Sequence, residues 1–288
     1  MLNGRTLLLG LVAVMALFHA VFWFKHLPQG WKRPRLFDTA LGFITNFFDT
    51  LGIGSYAPTT TVLAWKNPSQ VALIPGTLNI GHALPIALQA LIFVSSVEVS
   101  QTTLWSMTLA SMLGAYSGAC VVTRLPAKPV SLGMACALLL AATVQLLGLL
   151  EVLPSGGDAL GLHGMPLMVA VLGAFVVGGT STVGVGSYAP TMIMISLLGM
   201  NPLAAFPIMM GSAAVMLPMS STQFIRKQSY QVREALGLTL GGLPGVAVAA
   251  FVVKSLPLHV LRWVVVCVVF YAAYAIVKNA CRTTRHST

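Results

Sequence analysis

Two octets hold the residues best placed to do chemistry in an otherwise apolar chain. The first is Gly52-Ile53-Gly54-Ser55-Tyr56-Ala57-Pro58-Thr59 and the second is Gly184-Val185-Gly186-Ser187-Tyr188-Ala189-Pro190-Thr191. They differ only by Ile against Val and lie 132 residues apart. Glycine admits open backbone conformations, and proline removes a donor and clashes with the preceding turn, so each octet breaks a helix. A new helix then starts near Ala57-Pro58 or Ala189-Pro190, because proline suits a first turn. Such a start offers free N–H groups and the positive end of the helix dipole. Two starts facing each other form an anion site: Gly54 and Gly186 let an anion approach the backbone, and Ser55, Tyr56, Thr59, Ser187, Tyr188 and Thr191 supply hydroxyl donors. No Lys or Arg is expected near the breaks, which favours small anions held by neutral donors.

The same geometry also has a cation reading, in which unwound carbonyls hold sodium. Asp49, just before the first break, is the only acid well inside an apolar segment. It is either a proton or ion relay or a cap for the adjoining turn. Its counterpart in the second copy is Ser181, also a capping residue. Asn79 and His82 lie three apart and share a helix face, so they can line the cavity beside the first break. His82 can couple a proton, or can simply bind a neighbouring helix. Thr77 and Gln89 in the first half, and Ser212, Ser220, Ser221 and Gln223 in the second, add polar groups to the same region.

These residues must be held by helices in a membrane. Of 288 residues, 57% are hydrophobic and 8% charged, whereas soluble domains carry about a quarter charged residues. The apolar runs are continuous, which speaks against a membrane β-barrel. The fold class is therefore an all-α polytopic membrane protein. The net charge of +10 belongs to loops rather than to nucleic-acid binding. Cys120, Cys136, Cys267 and Cys281 have no CxxC spacing and read as packing residues, so neither metal nor cofactor is expected. No HExxH, P-loop or GxSxG motif is present, and catalysis is not expected.

Nine apolar segments can be cut out: 6–24, 37–65, 71–94, 102–123, 130–150, 165–199, 204–224, 235–253 and 259–277. The first is read as a retained span rather than a signal peptide, having no cleavage site after it. Segments 37–65 and 165–199 are the overlong ones, and they contain the octets. Further matches lie downstream of them: Asn67-Pro68 with Asn201-Pro202, Gly76 with Gly211, and Leu84-Pro85 with Leu217-Pro218. The chain is thus an internal duplication, with a first repeat over 1–128, a second over 129–255, and a final span and cytoplasmic tail over 256–288.

If all nine segments span, the 16 Lys and Arg divide 10 to 6. If the two broken segments are instead re-entrant hairpins, 13 fall inside and only Arg5, Lys254 and Arg262 outside. The positive-inside rule selects seven spans plus two hairpins. The first hairpin then enters from the cytoplasm and the second from the opposite side, so the repeats are inverted, as in many secondary transporters. This arrangement puts the N-terminus outside and the C-terminus in the cytoplasm. Gly114-x3-Gly118 and Gly237-x3-Gly241 are close-packing motifs, serving either contacts within the bundle or a homodimer.

The stretches 47–59 and 74–85, with the doubled glycine-proline break and the Asn-Pro after it, resemble the TauE/SafE permeases, the sulfite exporter or TSUP family. The resemblance runs from about Phe37 to Arg233. Where much of that family has a longer glycine run, this chain has Gly54-Ser55-Tyr56 and Gly186-Ser187-Tyr188. It implies an inverted-repeat secondary transporter of the inner (plasma) membrane, exporting sulfite or organosulfonates. The expected partners are a small anionic substrate, a coupling proton or sodium ion, and lipid. Two competing readings are a cation-coupled carrier centred on Asp49 and a membrane scaffold that moves no solute. A pore on the same plan is a further alternative.

Overall fold

The computed structural model describes residues 4–52, 54–93, 98–149, 156–184, 186–201 and 204–255. The expected final span and tail over 256–288, Pro202, and the break residues Ile53 and Val185 lie outside the described residues. The described chain is helical, with one isolated β-bridge between Ala159 and Met200 and no strand. In order come α1 (Gly4–Lys25), α2 (Leu36–Thr50), α3 (Tyr56–Lys66), a 3-10 turn (Pro68–Leu73), α4 (Ile74–Gly81), α5 (Ala83–Phe93), α6 (Gln101–Val122), α7 (Ala127–Leu149), α8 (Gly164–Ser181), α9 (Tyr188–Leu197), α10 (Ala205–Arg226) and α11 (Val232–Ser255). Among the described residues, six helices are long and apolar enough to cross a membrane: Thr6–Lys25, Pro68–Phe93, Gln101–Val122, Gly164–Ser181, Ala205–Arg226 and Val232–Val252.

Helix α10 is the centre of the bundle, and 89% of its most apolar window is buried inside the protein. The outer helices instead expose large apolar side chains such as Leu113, Leu172 and Phe251. That is the reverse of a soluble surface, and it suits a surrounding of hydrocarbon.

Glycines set two long helix contacts. A Cβ on Gly241 would run into the Thr39 carbonyl oxygen, and one on Gly245 into that of Phe43. A Cβ on Gly114 would run into the Phe175 oxygen, and one on Gly118 would sit 2.5 Å from that of Gly179. Helix α2 therefore lies backbone-to-backbone on α11, and α6 lies likewise on α8. Both glycine motifs are used within the chain. In each pair one member is the helix that precedes an octet, α2 or α8.

The contacts also order the two ends of the bundle. Helix α1 is 22 residues long, about 33 Å, and runs from one end to the other. At one end Gly4 lies against Gln101, Ser100 N donates to Leu160 O (2.8 Å), and Asn201 N donates to Ala159 O (2.8 Å). At the other end Gln228 Nε2 donates to His26 O (3.1 Å), and Arg233 Nε donates to Arg33 O (2.8 Å). Lys66, the last residue of α3, pairs there with Asp38 in the first turn of α2 and lies 3.9 Å from Glu234 at the start of α11. The end of α3 thus meets the start of α2 through Lys66 and Asp38, and Met200 after α9 bridges to Ala159 before α8.

The helical stretch after the first break bends at His82. Pro85 has no N–H to give the Gly81 carbonyl four residues back. Thr239 of α11 donates its hydroxyl to that oxygen instead, at 2.8 Å. Ser221 of α10 donates to the Asn79 oxygen at 3.0 Å. Neighbouring helices thereby satisfy backbone groups that an apolar environment would leave costly.

Candidate functional site

The first break is made by Gly52 (φ +90°) and Gly54 (φ +89°), in the left-handed region that glycine enters without strain. Ser55 then opens α3 and its backbone N–H donates to Asp49 Oδ1 at 2.7 Å. One carboxylate oxygen therefore caps the new helix across the turn. The carboxylate is turned toward the Ser55 hydroxyl and the Gln89 amide, yet Oδ2 meets no partner at hydrogen-bond distance. Asp49 is buried, and the ion pairs among the described residues involve Asp38, Lys66 and Glu234 only.

The second break brings in its own residues. Gly184 has φ +102°, and a Cβ there would lie 3.8 Å from Thr60 Oγ1 on α3. The Tyr188 hydroxyl, on the first residue of α9, donates to Gln89 Oε1 on α5 at 2.8 Å. Asp49 is within electrostatic reach of both Tyr56 and Tyr188. The two octets, 132 residues apart in the chain, thus touch a common group of buried polar side chains.

His82 forms one wall of this group. Asn46 Nδ2 is fixed by donating to Gly42 O (2.8 Å), so its Oδ1 faces His82 Nδ1 at 3.1 Å and accepts from it. His82 Nε2 lies 3.3 Å from Thr59 Oγ1, which donates to Ser55 O at 2.7 Å. The Thr59 hydroxyl therefore sits between two acceptors. The Tyr56 ring leans over the imidazole with centroids 5.7 Å apart.

Five buried polar atoms here have no hydrogen-bond partner: Asp49 Oδ2, Ser55 Oγ, Tyr56 Oη, Thr60 Oγ1 and Gln89 Nε2. Unpaired buried polar atoms are few in folded proteins, and each costs about 1–3 kcal/mol. Ser55, Tyr56 and Thr60 at the start of α3 and Gln89 of α5 gather near Asp49, and their three hydroxyls and one amide are groups that can donate to a small oxyanion. The remaining oxygen can accept a proton or face a cation.

The expected site residues divide on inspection. Asp49, Ser55, Tyr56, Thr59, His82 and Tyr188 come together, and Gly54 shapes the turn that joins them. Asn79 turns to α10: its Nδ2 donates to Pro75 O (2.8 Å), and Oδ1 accepts from Ser220 (2.8 Å). Gly186 and Ser187 are half-buried at the start of α9. Thr191 is buried one turn further on, its N–H donating to Ser187 O at 3.2 Å. Ser181 donates its hydroxyl back to Gly178 O (2.7 Å). Among the described residues, the group is centred on the first break, with Tyr188 contributed by the second. Asn46 and Thr60 join the group without having been singled out. Asn46 stands three residues before Asp49, and that helical spacing is the signal that places both on one face. Neither a protein-family model, nor a curated protein, nor a solved structure matches this chain.

Proposed function

We propose that the chain is a secondary transporter of small anions, binding its substrate where the two breaks meet. The observation that carries this reading is Tyr188 reaching Gln89 beside Asp49 and Ser55, within a lining of five unpartnered polar atoms. In this reading α2–α3 and α8–α9 are re-entrant hairpins of two inverted repeats. Several observations support it. Helices α2 and α3 have 15 and 11 residues, about 22 and 16 Å, against a hydrocarbon core of about 30 Å. Each pair returns to the end it left, and the two pairs return to opposite ends. Each first arm packs on a helix of the other half, so rocking one half against the other moves both breaks relative to their walls.

The donor set of hydroxyls and one amide, with no Lys or Arg in it, suits an oxyanion that is held and then released. The resemblance to the sulfite exporters adds sulfite or an organosulfonate as the substrate class and export as the direction. A second reading rests on Asp49: a buried carboxylate oxygen with neither hydrogen bond nor ion pair is suited to carry a proton or sodium ion. It makes Asp49 the coupling residue of the same carrier, or the centre of a cation carrier.

A melting-temperature panel on the purified chain in detergent separates these readings, because a ligand that binds only the folded state raises the melting point. Sulfite, sulfate, sulfoacetate, small carboxylates, and sodium against potassium are titrated. The anion reading expects a saturable shift with one anion class that is lost in Ser55→Ala. A shift with sodium alone, lost in Asp49→Asn, replaces it with the cation reading.

A further inference from the structure

Two loops far apart in the chain meet at the Lys66 end of the bundle. The connection from the end of α1 to α2 carries Lys25, Lys32, Arg33 and Arg35, and the α10–α11 turn carries Lys227, flanked by Arg226 at the end of α10 and Arg233 in the first turn of α11. They are tied together by two bonds to main-chain oxygens: Gln228 Nε2 to His26 O at 3.1 Å and Arg233 Nε to Arg33 O at 2.8 Å. Below them Trp23 Nε1 donates to the Tyr230 hydroxyl at 3.2 Å.

Neither loop contains an acidic residue between positions 25–35 or 226–233. The nearest acids, Asp38 and Glu234, both face Lys66. Lys25, Lys32, Arg33, Arg35, Arg226 and Lys227 are exposed, so the surface holds concentrated and uncompensated positive charge. Arg226 stacks over the Phe22 ring at 5.6 Å, which orients the guanidinium without neutralising it. Exposed aromatics flank the patch: Phe24, Trp31 and Phe37. Aromatic residues of this kind concentrate at the level of lipid headgroups, where juxtamembrane cations attract anionic lipid.

We propose that these two loops form one binding site for the headgroup phosphate of an anionic phospholipid, bridged between Lys32, Arg33 and Arg35 on one side and Arg226 and Lys227 on the other. The site is distinct from the lining at the breaks and does not depend on what is transported. Because Arg35 immediately precedes α2, a lipid held here braces the entry to the first broken segment.

The full chain, purified in a neutral detergent, is titrated with phosphatidylglycerol, phosphatidylcholine or inorganic phosphate while its melting temperature is followed. Saturable stabilisation by phosphatidylglycerol alone is expected, weakening as salt is raised. Replacing either Lys32, Arg33 and Arg35, or Arg226 and Lys227, with Gln is expected to lower the apparent lipid affinity by about tenfold. Arg33→Gln keeps the carbonyl that Arg233 binds, so the loop contact survives. Arg124 and Lys128 are exposed cations in the short connection between α6 and α7 and serve as the control. Arg124→Gln with Lys128→Gln is expected to leave lipid affinity unchanged. Equal stabilisation by phosphatidylcholine overturns the proposal, as does full stabilisation by inorganic phosphate. So does a control pair that weakens lipid binding as much as either loop. The salt titration on the unmodified chain decides the matter if a variant melts early, since salt-insensitive stabilisation also overturns the proposal.

Discussion

Asp49 accepts the Ser55 N–H with Oδ1 and leaves Oδ2 buried beside Gln89 and two tyrosines. In the sequence the cap and the relay are alternatives; in the fold Oδ1 caps the turn, and Oδ2 is the atom that the proposed proton or ion coupling would use. The octets made Ser55, Tyr56 and Tyr188 legible, because a glycine-proline break displays the side chains next to it. Gln89 could be noticed but not ranked, since its importance comes from a hydroxyl 99 residues away. Thr60 carries no signal at all: its neighbour is the second break, which only the packing brings near. Asn79 carried a misleading one. Its spacing with His82 does not give the two a shared partner: His82 meets Asn46 and Thr59, and Asn79 meets Ser220. Tyr188→Phe is expected to cost about 1 kcal/mol of stability, seen as a lower melting point. It is also expected to weaken anion binding several-fold while leaving helix content unchanged by circular dichroism.

Helix breaks and their lengths were readable from glycine, proline and apolar run length alone, and α2, α3, α8 and α9 begin and end close to where those signals lie. What each arm packs against was not readable. Gly237-x3-Gly241 announces a close contact without naming the partner, and a second copy of the chain would have satisfied it equally well. The partner is α2, whose Thr39 carbonyl fills the space a side chain on Gly241 would need. Gly241→Leu is expected to destabilise by about 3 kcal/mol or more, because a rigid backbone cannot give way. Differential scanning fluorimetry in detergent measures this. The repair of the Pro85 bend was equally hidden, since nothing in the sequence joins Thr239 to Gly81. Thr239→Val keeps the shape but strips the donor. It is expected to cost about 1–3 kcal/mol, whereas Thr239→Ser is expected to retain most of the stability.

For the molecule as a whole, duplication and charge lead to the expectation of two broken segments entering from opposite sides. Lys66 pairs with Asp38 at one end of the bundle, and Met200 bridges to Ala159 at the other. The sequence already marks the two copies as unequal, with Asp49 before the first break and Ser181 before the second. The first unit is closed at its base by an ionic cluster and the second by main-chain bonds, while the polar lining lies nearer the first break. Under the transporter proposal, two breaks of unequal chemistry suit a carrier whose two faces meet different solutions. Cysteines placed singly at Trp65 and at Leu197, both exposed residues near the bases of the two units, test the inversion in sealed right-side-out vesicles. An impermeant thiol reagent is expected to label only the Leu197→Cys chain, in a background where Cys120, Cys136, Cys267 and Cys281 are replaced. Labelling of both from one side contradicts the inversion.

Counterflow tests transport at the two breaks, in proteoliposomes loaded with unlabelled sulfite and diluted into a trace of labelled sulfite. Transient, saturable accumulation of label that is abolished by Ser55→Ala with Tyr188→Phe is expected. Accumulation unchanged in that double variant, or none with any small oxyanion while the protein remains folded, would contradict a transport site at the meeting of the two breaks.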